Sequence, residues 1–122
     1  MKHLLCAIAI AAAAAGPVAA HHSYAAYDRE RLVEIDGIIE EFQVRAPHTL
    51  LKIRSADNRL VTAEWGAPTV LQRAGIGPET LAPGERVVIT GNPHREFDQN
   101  GIVNFKSIRR LSDGWAWPSV SR

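Results

Sequence analysis

Two adjacent histidines, His21 and His22, have the residue type and position best suited to chemistry in this sequence. They follow Val18-Ala19-Ala20, whose small side chains match the cleavage site of a secretory signal peptide. Cleavage after Ala20 would make His21 the first residue, so its α-amine and imidazole could bind one metal ion together. Because nitrogen ligands of this kind favour Cu(II) among the first-row divalent ions, the pair predicts a copper site.

The geometry of that site depends on where the leader is cut. If Ala20 stayed on the mature chain, His22 would be its third residue. Its imidazole, the free amine and two backbone amides could then form a square-planar copper site. The competing interpretation is a polar arm whose histidines are merely hydrated. The sequence leaves open both copper geometries and the hydrated arm.

Two further histidines, His48 and His94, are candidate third metal ligands. Each follows a proline in a loop at the end of a predicted strand, and the loops of a small barrel cluster at its rims. The alternative for each is a loop histidine that hydrogen-bonds to the backbone. Convergence of one of them with His21 and His22 would strengthen the metal hypothesis.

The tryptophans suggest a different class of function. Trp115 and Trp117, near the C-terminus, could form a ligand-binding platform for a sugar or another ring, together with Trp65. The competing interpretation is core packing for Trp65 and a plug at the end of the barrel for the other two. On the first interpretation the protein is a protein- or saccharide-interaction module that uses its barrel face and tryptophans and binds no metal.

No motif in the sequence supports an enzyme. It lacks a Gly-x-Ser-x-Gly elbow, a phosphate-binding glycine loop and a His-Glu-x-x-His motif, so we expect no catalytic residues. A copper-dependent oxidative enzyme would need a histidine brace on a flat substrate-binding surface, for which the chain is small. Its only cysteine, Cys6, lies in the leader, which excludes a mature disulfide or thiolate site.

The N-terminal segment, residues 1–20, predicts export. Lys2 precedes twelve apolar residues, Leu4 to Ala15, and Gly16-Pro17 then interrupts the run. The run is too short to span a bilayer, so we expect a soluble periplasmic or secreted protein with no membrane span after cleavage.

The remaining 122 − 20 = 102 residues make one domain, and 14 − 1 = 13 basic side chains balance 13 acidic ones. That balance argues against a nucleic-acid partner.

Alternating apolar residues predict five strands with one short helix after the third. The predicted strands are Leu32–Val44, Thr49–Arg54, Leu60–Trp65, Glu85–Gly91 and Ile102–Leu111, and the helix runs from Pro68 to Gly75. This order predicts an all-β, five-stranded OB-like Greek-key barrel, with a small open antiparallel sheet or sandwich as the alternative. The domain boundaries are 1–20 for the leader, 21–31 for an N-terminal arm that docks through its tyrosines, 32–114 for the barrel and 115–122 for an aromatic tail.

Finer expectations concern three places in this plan. The apolar residues of the first strand change phase near Gly37, which predicts a β-bulge or sharp bend there. Glu40-Glu41, adjacent in that strand, should point to opposite faces. Residues 92–100 read as a long polar loop, and Val70, Leu71 and Ala74 as the apolar stripe of the helix.

Several segments of the chain, in this order, resemble one family. They are His21–Asp28, Gly37–Phe42 with Pro47-His48, Glu64–Gly75, Leu81–Val87 and Leu111–Gly114. They resemble small exported bacterial proteins whose mature chains begin His-His-Ser-Phe, a family catalogued as a domain of unknown function. The resemblance implies export and a small β-rich domain, and it brings no established activity. We therefore expect a non-enzymatic exported protein that binds Cu(II) as a carrier, chaperone or sensor.

Overall fold

Six strands form along the part of the chain that the computed structural model describes, residues 24–119; alternating apolar residues form the first five, and the sixth is a two-residue strand in the predicted tail. The strands are β1 (Val33–Gln43), β2 (Leu50–Ser55), β3 (Leu60–Glu64), β4 (Arg86–Pro93), β5 (Ile102–Arg110) and β6 (Ala116–Trp117). Helix α1 (Pro68–Arg73) lies between β3 and β4, and helix α2 (Phe97–Asn100) between β4 and β5. The predicted leader, residues 1–20, lies outside the described residues, and so do His21 and His22.

The first five strands close into a barrel. Strand β1 pairs with β2 through its second half and with β4 through its first half, and β5 pairs with β4. Closure comes from a short parallel ladder between β3 and β5, in which Glu64 and Asn104 are the last partners. This topology, with a helix between the third and fourth strands, confirms the predicted OB-like barrel over an open sheet or sandwich. Within residues 24–119, neither α1 nor α2 is long and apolar enough to cross a membrane.

The barrel interior is filled by the predicted inward-facing side chains. The core comprises Ile39, Leu51, Ile53, Val61, Ala63, Trp65, Leu71, Ile76, Leu81, Val87, Ile89, Val103, Phe105 and Ile108. The predicted stripe of α1 is wrong in two of its three residues. Leu71 is buried, whereas Val70 and Ala74 are exposed. Helix α1 has six residues, which is less than two turns, so only one of its apolar side chains points fully into the end of the barrel.

The irregularity of β1 lies three residues beyond the predicted place. Its register with β2 shifts between Ile39 and Glu41, so Glu40 is the extra residue of a bulge. The bulge cancels one step of the alternation, and both Glu40 and Glu41 therefore reach the outer face. Glu40 pairs there with Arg54 at 2.7 Å and Glu41 with Lys52 at 2.7 Å, so the expectation of opposite faces was wrong.

The segment predicted as a polar loop, residues 92–100, is more ordered than its composition indicates. Asn92 and Pro93 complete β4 and are buried, and the segment ends in α2. The Asn92 amide donates to the carbonyl oxygen of Arg31 at 2.6 Å, which explains how a polar residue is accommodated there. The loop prediction was wrong at Asn92 and Arg95 because their hydrogen-bond partners, Arg31 and Ala25, are distant in sequence.

The β2–β3 turn yields a test of local backbone conformation. Asn58 has a φ of 65°, in the left-handed region that glycine adopts more readily than residues with a Cβ. We expect Asn58→Ala to lower the free energy of unfolding by about 1 kcal/mol, and Asn58→Gly to leave it nearly unchanged. Urea denaturation of both variants measures the difference, and equal stabilities would contradict this account.

Candidate functional site

The arm that precedes β1 is docked on the barrel through Tyr27. Its side chain is only 4% exposed, and its hydroxyl donates to Glu64 Oε2 at 2.5 Å. The edge of the ring meets His94, with ring centroids 5.6 Å apart. Since Glu64 ends β3 and His94 follows β4, one tyrosine joins the arm to two distant parts of the barrel.

Backbone hydrogen bonds reinforce this docking. The Asp28 amide donates to the Pro93 carbonyl at 2.8 Å, and the Arg95 amide donates to Ala26 at 2.9 Å. The Arg95 guanidinium donates to the Ala25 carbonyl at 2.9 Å. The described part of the predicted arm therefore follows the barrel surface, in agreement with docking through Tyr27.

The environment of Tyr27 keeps its phenol neutral. Burial raises the pKa of the hydroxyl well above its ordinary range, and the hydrogen bond to Glu64 and the negative charge of that carboxylate raise it further. The group is therefore a constant hydrogen-bond donor near neutral pH.

A cleft opens where β3 and β5 separate. Their ladder ends at Glu64 and Asn104, after which the chain leaves β3 towards α1 while β5 continues. The resulting cavity has a volume of about 480 Å³. We call it the β3–β5 cleft, and it is lined by Tyr27, Pro47, His48, Glu64, Trp65, Gly66, Ala67, Val70, Asn104, Phe105 and Lys106. Its size is that of a site for a small molecule.

His48 lies in the wall of this cleft. The same histidine, with Pro47 and Glu64, also lines an adjoining depression that extends to Arg45. The predicted loop histidine is therefore half-buried and lines the same cavity as Tyr27 and Glu64. This brings His48 and the docked arm together, which the sequence could not establish.

His94 is held by a different set of contacts. The Glu96 amide donates to His94 Nδ1 at 3.0 Å, and Asn100 Nδ2 lies 2.9 Å from the same nitrogen. Asn100 Oδ1 accepts from the Ile102 amide at 2.9 Å, which orients the Asn100 nitrogen towards the ring. Because Nδ1 accepts hydrogen bonds, the neutral ring carries its proton on Nε2. This hydrogen-bonding pattern is the backbone-bonded alternative described for a loop histidine.

Across residues 24–119, no group of three or more His, Cys, Asp or Glu side chains is arranged to hold a metal ion. A metal-binding histidine usually donates its second ring N–H to an acceptor, whereas Nδ1 of His94 faces donors. Of the four predicted ligands, His48 lines the same cavity as Tyr27 and His94 contacts the Tyr27 ring, whereas His21 and His22 lie outside the described residues.

Trp65 and Trp117 pack against each other and against Phe105, whereas Trp115 packs against Arg110. Trp65 stacks on Phe105 with ring centroids 3.9 Å apart, and Trp117 lies 5.1 Å from Trp65. The Arg110 guanidinium lies over the Trp115 ring, with its Cζ 5.4 Å from the ring centroid. Trp115 and Trp117 are both half-buried against the core, which is the arrangement expected of a barrel-end plug.

Two cleft residues, Glu64 and Lys106, were not singled out from the sequence. Glu64 ends β3 directly before the Trp65-Gly66 break, and a polar residue at that position is a usable signal for a rim site. Lys106 has no such signal, because its place depends on a register shift in β5 opposite Thr90 and Gly91.

Comparison with known proteins gives one match. Neither the curated proteins nor the solved structures contain a significant match to this chain. The model of the family of unknown function DUF6152 matches residues 8–104, which is most of the chain. The predicted resemblance to a domain of unknown function is thereby confirmed, and the chain belongs to this family.

Proposed function

We propose that this protein is exported and binds Cu(II) through the N-terminal histidines of its mature chain, His21 and His22. In this role it is a carrier, chaperone or sensor of the metal and has no catalytic activity. The leader-like segment that ends at Ala20 supports export, and the amine and imidazole of a terminal His21 support copper as the metal.

The single observation that carries the proposal is the docking of the arm at Tyr27. His21, the farther residue of the pair, stands 27 − 21 = 6 residues before this anchor, and six extended residues span at most about 22 Å. The histidine pair is therefore tethered within that distance of Tyr27, whose side chain lines the β3–β5 cleft. A tether of this length raises the local concentration of metal ligands beside the barrel.

His48 is the better of the two candidate third ligands. It lines the cleft to which Tyr27 and Glu64 also contribute. Coordination through His94 Nε2 would require the ring proton to move to Nδ1, where it would oppose the Glu96 amide. The proposed site thus combines the terminal amine and imidazoles of the arm with the His48 imidazole.

The test is a Cu(II) titration of protein whose N-terminus has been read by mass spectrometry. We expect sub-micromolar, one-to-one binding to the chain that begins at His21. Replacing both His21 and His22 with alanine should abolish this binding, because it removes the imidazoles of the arm. One extra residue before His21 should also weaken it, since the amine and imidazole would no longer belong to one residue.

The matched control is His94→Ala, which removes a histidine next to Tyr27 but outside the proposed ligand set. It should retain one-to-one binding, whereas His48→Ala should weaken it. Unchanged affinity in the His21→Ala/His22→Ala variant would overturn the proposal. That result would favour the interaction-module interpretation based on the barrel face and tryptophans.

A further inference from the structure

The β3–β5 cleft has a feature that copper binding at the arm does not use. Between Asn104 and Ile108, no described strand pairs with the side of β5 that faces β3, because β3 has ended and β6 rejoins only at Ile108. The cleft occupies this gap. A gap of this kind in a barrel wall gives a small molecule access to side chains that are otherwise covered.

Lys106 is presented to the cleft by a bulge. In the β4–β5 ladder Thr90 faces Ser107 and Gly91 faces Phe105, so Lys106 is the extra residue. A bulge re-aims the side chain of its extra residue, and Lys106 is exposed and lines the cleft. In the described part of the chain it forms no ion pair, unlike Lys52, which pairs with Glu41.

A second donor in the same wall lacks an acceptor. Trp65 is 6% exposed and lines the cleft, and its Nε1 has no hydrogen-bond partner among the described residues. Thr49, which follows His48 and is fully buried, has an unpartnered hydroxyl as well. Thr49 does not line the cleft, but Trp65 does, and since buried polar groups in proteins are nearly always hydrogen-bonded, its indole N–H indicates a missing acceptor there.

The remaining lining narrows the chemistry of that acceptor. Glu64 already accepts from Tyr27, and the other polar side chains of the lining, those of His48, Trp65, Asn104 and Lys106, can all donate hydrogen bonds. The aromatic rings of the wall are almost fully buried and give no face for a sugar ring to stack on. Val70 is 49% exposed and offers an apolar contact at the mouth.

We propose that the β3–β5 cleft binds a small organic carboxylate. One carboxylate oxygen pairs with the Lys106 ammonium and accepts from Trp65 Nε1, and the aliphatic part of the ligand contacts Val70. Lys106 and Trp65 lie outside the proposed metal set, whereas His48 of that set lines the same cleft, so the carboxylate is tested in the absence of metal. Its occupant is a free acid or the C-terminal carboxylate of a peptide.

The test is a titration of the exported, correctly processed protein with hexanoate in the presence of EDTA, followed by ¹H–¹⁵N NMR of the indole groups. We expect a saturable shift of the Trp65 indole signal, with smaller shifts for Trp115 and Trp117. Hexanamide, the neutral analogue, should bind about tenfold or more weakly, because it lacks the charge that pairs with Lys106. Short peptides with free and amidated C-termini distinguish the two sources of the carboxylate.

The decisive variant is Lys106→Gln, at an exposed position where folding should be unaffected. It should weaken hexanoate binding about tenfold or more, whereas the control Lys52→Gln, on the outer face of β2, should not. Equal binding of hexanoate and hexanamide, or an unchanged affinity in Lys106→Gln, would overturn the proposal. Retained hexanoate binding in the variant lacking His21 and His22 would support it even if copper binding fails.

Discussion

Replacing Gly37 with alanine should cost about 3 kcal/mol of unfolding free energy or more. A Cβ at this position would lie 2.4 Å from the Arg54 carbonyl oxygen and 2.5 Å from Ile53 Cγ2. Gly37 pairs with both β2 and β4, so the strand cannot shift away from one neighbour without disturbing the other. Because small domains have only about 5–15 kcal/mol of stability, a loss of this size should be visible in urea denaturation.

Gly77→Ala is the matched control for this experiment. Its Cβ would meet only the end of the flexible Glu79 side chain, at 3.2 Å, and its backbone does not require a positive φ. We expect a change within about 0.5 kcal/mol, since the substitution meets no rigid atom. If Gly37→Ala proved as stable as Gly77→Ala, the close approach of β1 to β2 would not be a constraint on the barrel.

The comparison of Gly37 with Glu40 shows what the sequence could and could not predict about the fold. The alternation of apolar residues predicted five strands and the barrel order, because burial on one face imposes a period of two. The phase change in β1 was also visible. The position of the bulge was not visible in the sequence, since Gly37 and Glu40 both lie between the two phases. Only the pairing with β2 determines which residue is the extra one.

The candidate site depends even more on contacts between distant residues. Tyr27 was expected to dock, but its partner Glu64 is 37 residues away, and no local pattern links the two. His48 and His94 looked equivalent because both follow a proline. They differ only in their tertiary surroundings. His48 lines the β3–β5 cleft, whereas Nδ1 of His94 faces hydrogen-bond donors from Glu96 and Asn100.

Tyr27→Ala is expected to release the arm and to cost about 3–5 kcal/mol, as for other buried aromatic residues. The variant loses the ring packing against His94 and the hydrogen bond to Glu64. Urea denaturation measures the loss, and limited trypsin digestion should show faster cleavage at Arg29 and Arg31. Val70→Ala is the control, because Val70 lies at the same cleft but is half exposed. Unchanged digestion of the arm in Tyr27→Ala would show that its backbone hydrogen bonds suffice.

Tyr27→Phe separates the hydroxyl from the ring and gives a pH signature. It should cost about 1–2 kcal/mol near neutral pH, because the Glu64 carboxylate loses its donor but remains in contact with water. The pKa of Tyr27 is raised in the folded protein, so above the ordinary tyrosine value of 10.0 the unfolded chain loses this proton first. The stability that the hydroxyl contributes is therefore complete below pH 10 and declines as the pH rises above it. We expect the stability difference between the wild type and Tyr27→Phe to shrink in that range. A difference that stays constant would mean that folding does not raise the pKa of the Tyr27 hydroxyl, and that the folded protein does not hold the phenol in its neutral form.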